Sequence, residues 1–213
     1  HMTTMRTTFR LFSVLITFFA LFEQSWGKSR LGDYYLGFGY SMADGDGAFQ
    51  QTDGDILSIM GESPATNNSD WRVHLQYGNY DKVPPSMGDE SSWKLGIDYL
   101  MYYDGHIDQN GMFRPYFGLG LGYLNDKAKI RLDDNGFNWN FLVGTEVLFT
   151  DDLSLYLGGS FYGLWGNFGD NDWEWDLGLT WWINDVHGIS LDYQRPAEKG
   201  VNFIGLKYLY SWQ

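Results

Sequence analysis

Large apolar side chains fall on every second residue over most of this 213-residue chain. Such alternation marks strands with one apolar and one polar face. From Tyr34 to Met42, Tyr34, Leu36, Phe38, Tyr40 and Met42 share a face opposite Tyr35, Gly37, Gly39 and Ser41. Trp71, Val73, Leu75 and Tyr77 alternate with Arg72, His74 and Gln76, and Trp93, Leu95, Ile97, Tyr99 and Met101 with Lys94, Gly96 and Asp98. The same period runs through 115–123, 137–149, 153–165, 173–183, 189–194 and 204–212. Nine clear strands result, separated by turns rich in Gly, Asp and Asn, and no helical stripe competes with them.

The extreme N-terminus breaks the pattern. Arg6 and Arg10 precede an apolar run from Leu11 to Phe22, and Ser25-Trp26-Gly27 follows. That order is a Sec signal peptide, with an apolar core too short for the ~20 residues of a membrane-spanning helix. Cleavage is expected near Gly27. His1-Met2 is read as a cloning scar, so 1–27 is scar plus signal and 28–213 is one domain. Without the leader the chain would be one unit more negative than its formal −13.

Composition narrows the class. The chain holds 27 Gly and is 19% aromatic, yet its mean hydropathy is −0.33. Disordered chains lack such rings, and helical membrane proteins need several long apolar runs. The acidic balance repels phosphate backbones, so no nucleic-acid partner is expected. With no Cys, disulfides and thiolate metal sites are excluded.

A soluble β-sandwich would also alternate. Here, though, the apolar face is crowded with Trp, Tyr and Leu, and the other face mixes Gly and Ser with isolated charges. Small residues suit the inside of a narrow barrel. The rings Tyr34, Trp71, Trp93, Trp173 and Trp212 lie near strand ends, where membrane barrels carry aromatic girdles. An all-β, antiparallel, up-and-down transmembrane barrel is therefore expected, exported to the bacterial outer membrane.

Four stretches carry a family likeness: DYYLGFGYS (33–41), FRPYFGLGLGY (113–123), GTEVLFTDDLSL (144–155) and GLKYLYSW (205–212). They resemble the opening strand, an inner strand, a strand–turn–strand and the closing strand of OmpA/OmpX/OmpW-like outer-membrane barrels. Gln213 departs from that family's usual aromatic end. The resemblance implies a monomer among outer-membrane lipids and lipopolysaccharide, inserted by the barrel-assembly machinery.

Such barrels have an even strand count. Short turns at 150–152 and 184–187 make the strand from Trp71 ascend, so a descending strand must lie between 43 and 69. Asp55–Gly61 is the one candidate and reads weakly. Ten strands are expected, with eight as the runner-up. The outer loops then fall at 43–54, 81–91, 124–136, 166–172 and 196–200.

The inner face would carry Arg72, Lys94, Asp98, Arg114, Glu146, Glu174, Asp176, Asp192 and Lys207. Four cations face five acids, which suits ion pairs filling the lumen or a narrow solute path lined by the same groups. Catalysis lacks a base beside a nucleophile: His74 is mid-strand, and His106 and His187 fall in inner turns. The acidic turns around 44–47, 53–55, 133–136 and 170–172 lack full calcium-loop spacing. No enzymatic site, metal or cofactor is expected. The expected role is structural or adhesive, with a small-solute or ion channel as the alternative and an enzyme acting on lipid or peptide third.

Overall fold

The computed structural model describes residues 29–46, 52–81, 91–103 and 113–212. The signal segment, His106 and Gln213 lie outside the described residues. Ten strands follow in order: β1 (Tyr35–Gly45), β2 (Asp53–Thr66), β3 (Ser69–Asp81), β4 (Ser91–Tyr102), β5 (Phe113–Asp126), β6 (Gly136–Leu148), β7 (Leu153–Leu164), β8 (Asn171–Trp182), β9 (His187–Pro196) and β10 (Val201–Ser211). Each pairs antiparallel with its chain neighbours, and β1 closes on β10 from Tyr35↔Ser211 to Gly45↔Val201. The barrel is closed and up-and-down, so no sheet edge is left unpaired.

The weak strand is real, and longer than its sequence signal. β2 carries Leu57 and Ile59 outward but also Ile56 and Met60 inward, so apolar residues on both faces blur the period. A bulge between Pro64 and Thr66 then ends its ladder, where proline could not donate.

Outward faces form an apolar belt: Phe38, Leu57, Val73, Leu95, Leu119, Phe141, Leu177 and Leu206 are all exposed. In water such a surface would drive association; it suits lipid. Both strand ends carry rings. Tyr34, Trp71 and Trp212 lie at the end holding the chain termini, and Trp93 and Trp173 at the opposite, loop end. The Tyr34 and Trp212 rings sit 6.3 Å apart, Trp71 sits 4.8 Å from Tyr99, and Trp93 stacks on Tyr123 at 5.2 Å.

Rings are not confined to the outside. Tyr35, Tyr80, Tyr102, Tyr116, Tyr156, Tyr162 and Trp182 are buried in the lumen. Inward glycines make room for these and the polar groups: at Gly120 a Cβ would collide with both Asp98 and Asn140.

Candidate functional site

The lumen is the site that concentrates chemistry, and register places its charges. Glu62 on β2, Arg72 on β3 and Asp98 on β4 lie directly opposite in one row, as do Arg114 on β5 and Glu146 on β6. Arg72 Nε meets Glu62 Oε2 at 2.6 Å, and Arg114 Nη1 is 3.6 Å from Glu146 Oε2. Asp98 accepts from Asn140 Nδ2 at 2.8 Å and lies 3.3 Å from His74 Nδ1. On the far wall, Lys207 Nζ is 3.2 Å from Asp192 Oδ2. Glu174 and Asp176 point inward from β8, and Lys94 from β4.

All nine expected inner charges thus face the lumen. Two arginines and one acid that the sequence reading left out complete them. Arg30, just before β1, reaches Asp192 at 3.3 Å and lies over the Tyr156 ring, 4.6 Å from its centre. Arg131, in the connection between β5 and β6, reaches Glu174 at 3.2 Å and Gln76 at 3.3 Å. With Glu62, these additions turn four cations against five acids into six against six. Three more buried acids lie toward the two mouths and take backbone N–H groups instead: Asp70 from Gly32, Asp126 from Arg131 and Leu132, Asp172 from Trp173 and Glu198.

Both arginines ride on segments that enter the lumen. At the terminal end, Ser29–Gly32 turns inward before β1. The Arg30 N–H donates to Glu146 Oε1 at 2.9 Å, Ser29 Oγ also donates to Glu146, and Arg114 donates to the Leu31 carbonyl at 2.8 Å. Gly32 donates to Asp70 at 2.8 Å from a φ of +88°, a backbone that favours glycine. Leu31 packs among Leu100, Tyr102, Tyr116 and Tyr156.

The loop end corrects an expectation: 124–136 is not simply an outer loop. Ala128 and Ile130 are buried with Ala43, Ile56, Tyr80, Val201 and Phe203, and Leu132 with Leu124, Tyr162 and Leu164. The signal was visible as apolar residues at 128, 130 and 132. Outside this cap, Lys199 donates to Asp133 at 2.7 Å and holds that carboxyl below the usual range. Asp170 accepts the backbone N–H groups of Asp133 and Asp134, as turn-bracing acids do.

Between the two plugs remains a cavity of about 80 Å³, lined by groups of both signs. His74 faces it with Asp98 behind. Among the described residues no hydroxyl is recorded on His74, and no cluster of three or more His, Asp or Glu is placed to hold a metal ion.

No family model and no curated protein sequence matches this chain. Solved structures of outer-membrane barrels align with it loosely. Neisserial surface protein A shares 12% identity over 84% of this chain and 97% of its own, with a TM-score of 0.42. The KdgM porin shares 8% over 84% and 99%, with a TM-score of 0.42. The translocator domain of the autotransporter NalP from Neisseria meningitidis shares 9% over 99% and 97%, with a TM-score of 0.44. The fold itself rests on the strand register and the apolar belt. This chain is a transmembrane β-barrel.

Proposed function

We propose that this protein is a non-enzymatic barrel of the bacterial outer membrane, closed to free diffusion, with a structural or adhesive role carried by its loop end. The observation behind this reading is the occupied lumen. Segments 29–32 and 128–132 enter from opposite ends, and each brings an arginine that balances the wall charges. Ten strands enclose little more than side chains can fill, so two inserted segments suffice to stop it. An enzyme would need a nucleophile or activated water beside His74, whose recorded contact is instead Asp98, itself held by Asn140. Lipid and lipopolysaccharide are the surroundings such a belt and girdles would meet, with the chain acting as a monomer after insertion by the assembly machinery. Planar-bilayer recording tests the reading: purified protein should insert without discrete conductance steps. Reproducible steps would overturn it and favour the narrow solute path.

A further inference from the structure

Among the twelve lumen charges, ten are held by a partner, Asp98 through His74. Among the described residues no ion pair is recorded for Lys94 or Asp176; the cations that act on Asp176, Lys207 and Arg30, are both engaged by Asp192, and register explains the rest. Lys94 lies opposite Gln76 on β3 and Leu124 on β5, and Asp176 opposite Gly158 on β7 and Gln194 on β9. None of those neighbours is charged. Lys94 holds its ammonium 5.4 Å from the Tyr162 ring centre, and Asp176 Oδ1 is sealed from solvent with no hydrogen-bond partner among the described residues. Both side chains line the central cavity. So do Arg72, His74 and Asn140, whose Nη2, Nε2 and Oδ1 atoms are likewise buried and unpartnered.

Two limits then define what fits. The twelve named charges already sum to zero, so a net charge brought into the cavity would stand uncompensated in a medium of low permittivity. A molecule with one charge of each sign avoids that cost, placing its anion on Lys94 and its cation on Asp176. At on the order of 10–15 Å³ per water-sized group, the cavity has room for about six non-hydrogen atoms. We propose that it is a binding site for a small zwitterion of that size, reached from the loop end by displacement of the Arg131 segment. That segment contacts two lining residues, Glu174 and Gln76, and lies outside the strand ladder. Binding does not depend on conduction, since a barrel silent in bilayers can still hold a ligand in its lumen.

β-Alanine, a zwitterion of that size without a side chain, is the probe. The folded protein in detergent micelles is dialysed to equilibrium against labelled β-alanine, with propionate and propylammonium as single-charge controls. Saturable binding of one β-alanine per chain is expected, weakened at least tenfold by Lys94→Met and by Asp176→Asn, with neither control competing. Heat-modifiable migration on gels verifies that each variant is folded. Ser160→Leu fills the cavity from β7 with both charges intact and should abolish binding independently. Absence of saturable binding in the millimolar range overturns the proposal. So does equal binding of propionate, or unchanged affinity in the folded variants.

Discussion

At the terminal end the lumen is stopped by chain that precedes the first strand; at the loop end it is stopped by a connection anchored on both sides, in β5 and β6. The two stoppers differ in what holds them. Residues 29–32 are fixed mainly through backbone and hydroxyl hydrogen bonds to wall side chains, Glu146, Asp70 and Arg114. Residues 128–132 are fixed mainly by apolar burial, with Ala128 and Ile130 fully sealed, and by two N–H bonds to Asp126 at the end of β5. Directional bonds to buried acids supply the specificity that apolar contact lacks. The connection at the loop end starts with both ends placed, so a short alternation of Ala, Ile and Leu is enough.

Glu146 is where this contrast breaks most sharply, because wall and terminal plug share it. It is fully buried and serves Ser29, Arg30 and Arg114 at once. Glu146→Ala removes the one acid that Ser29, Arg30 and Arg114 share, and breaking a buried charge pair costs about 3–5 kcal/mol. The expected result is a lower urea midpoint for loss of heat-modifiable migration, the largest shift of any single change here. At the loop end Glu174 and Asp126 each hold the plug, but among the described residues neither shares it with a wall cation.

The two arginines give the next test. Asp192 keeps Lys207 and Ser190 if Arg30 is removed, whereas Arg131 is the only cation recorded on Glu174 among the described residues. Arg131→Met should therefore destabilise by about 3 kcal/mol and Arg30→Met by about half that, since only the former orphans a buried acid. Equal midpoints in urea would show that the wall charges rearrange freely, and the contrast between the ends would fail.

Conduction sharpens the comparison from another side. Gly32→Val opposes the +88° φ and meets the Tyr102 hydroxyl, which should expel the terminal plug at a cost of roughly 1–2 kcal/mol. Ile130→Asp should expel the loop plug by placing a charge in an apolar layer. Each alone leaves the other stopper in place, so bilayers should stay silent; the combined variant should show steps. Steps from Gly32→Val alone would mean that the loop plug does not seal.

Much of the wall is legible in the alternation of the sequence. Outward Phe38 or Leu121 and inward Arg72 or Asp98 follow from a period of two, and parity required a strand that hydropathy barely signalled at 53–66. The plugs were not legible for a physical reason. Arg30 and Arg131 belong to no strand, so no period assigns them a face, and their partners Asp192 and Glu174 lie 162 and 43 residues away. The one available hint was arithmetic: an inner face with four cations and five acids was short of positive charge. Alternation turns Lys94 and Asp176 inward, but only register reveals that their neighbours are uncharged.

The smallest effect belongs to the rim of the loop plug, where Lys199 meets Asp133 outside the sealed layer. The Asp133 side chain is 69% exposed, so solvent and salt screen the pair, and Lys199→Ala should cost no more than about 0.5 kcal/mol. Its sign with pH is nonetheless defined. The folded carboxyl is held below its ordinary value by the Lys199 hydrogen bond, so the pair's contribution is complete above the unfolded carboxylate range. It is lost as pH falls through the lowered folded value. The difference in urea midpoint between the parent and Lys199→Ala should accordingly be constant from pH 6 to 8 and close as the solution is acidified below about pH 4. A gap that persisted at low pH would assign the lysine's effect to packing of its methylene stem over the plug. The loop end would then be held by apolar contact out to its rim, and the contrast with the hydrogen-bonded terminal end would become stronger.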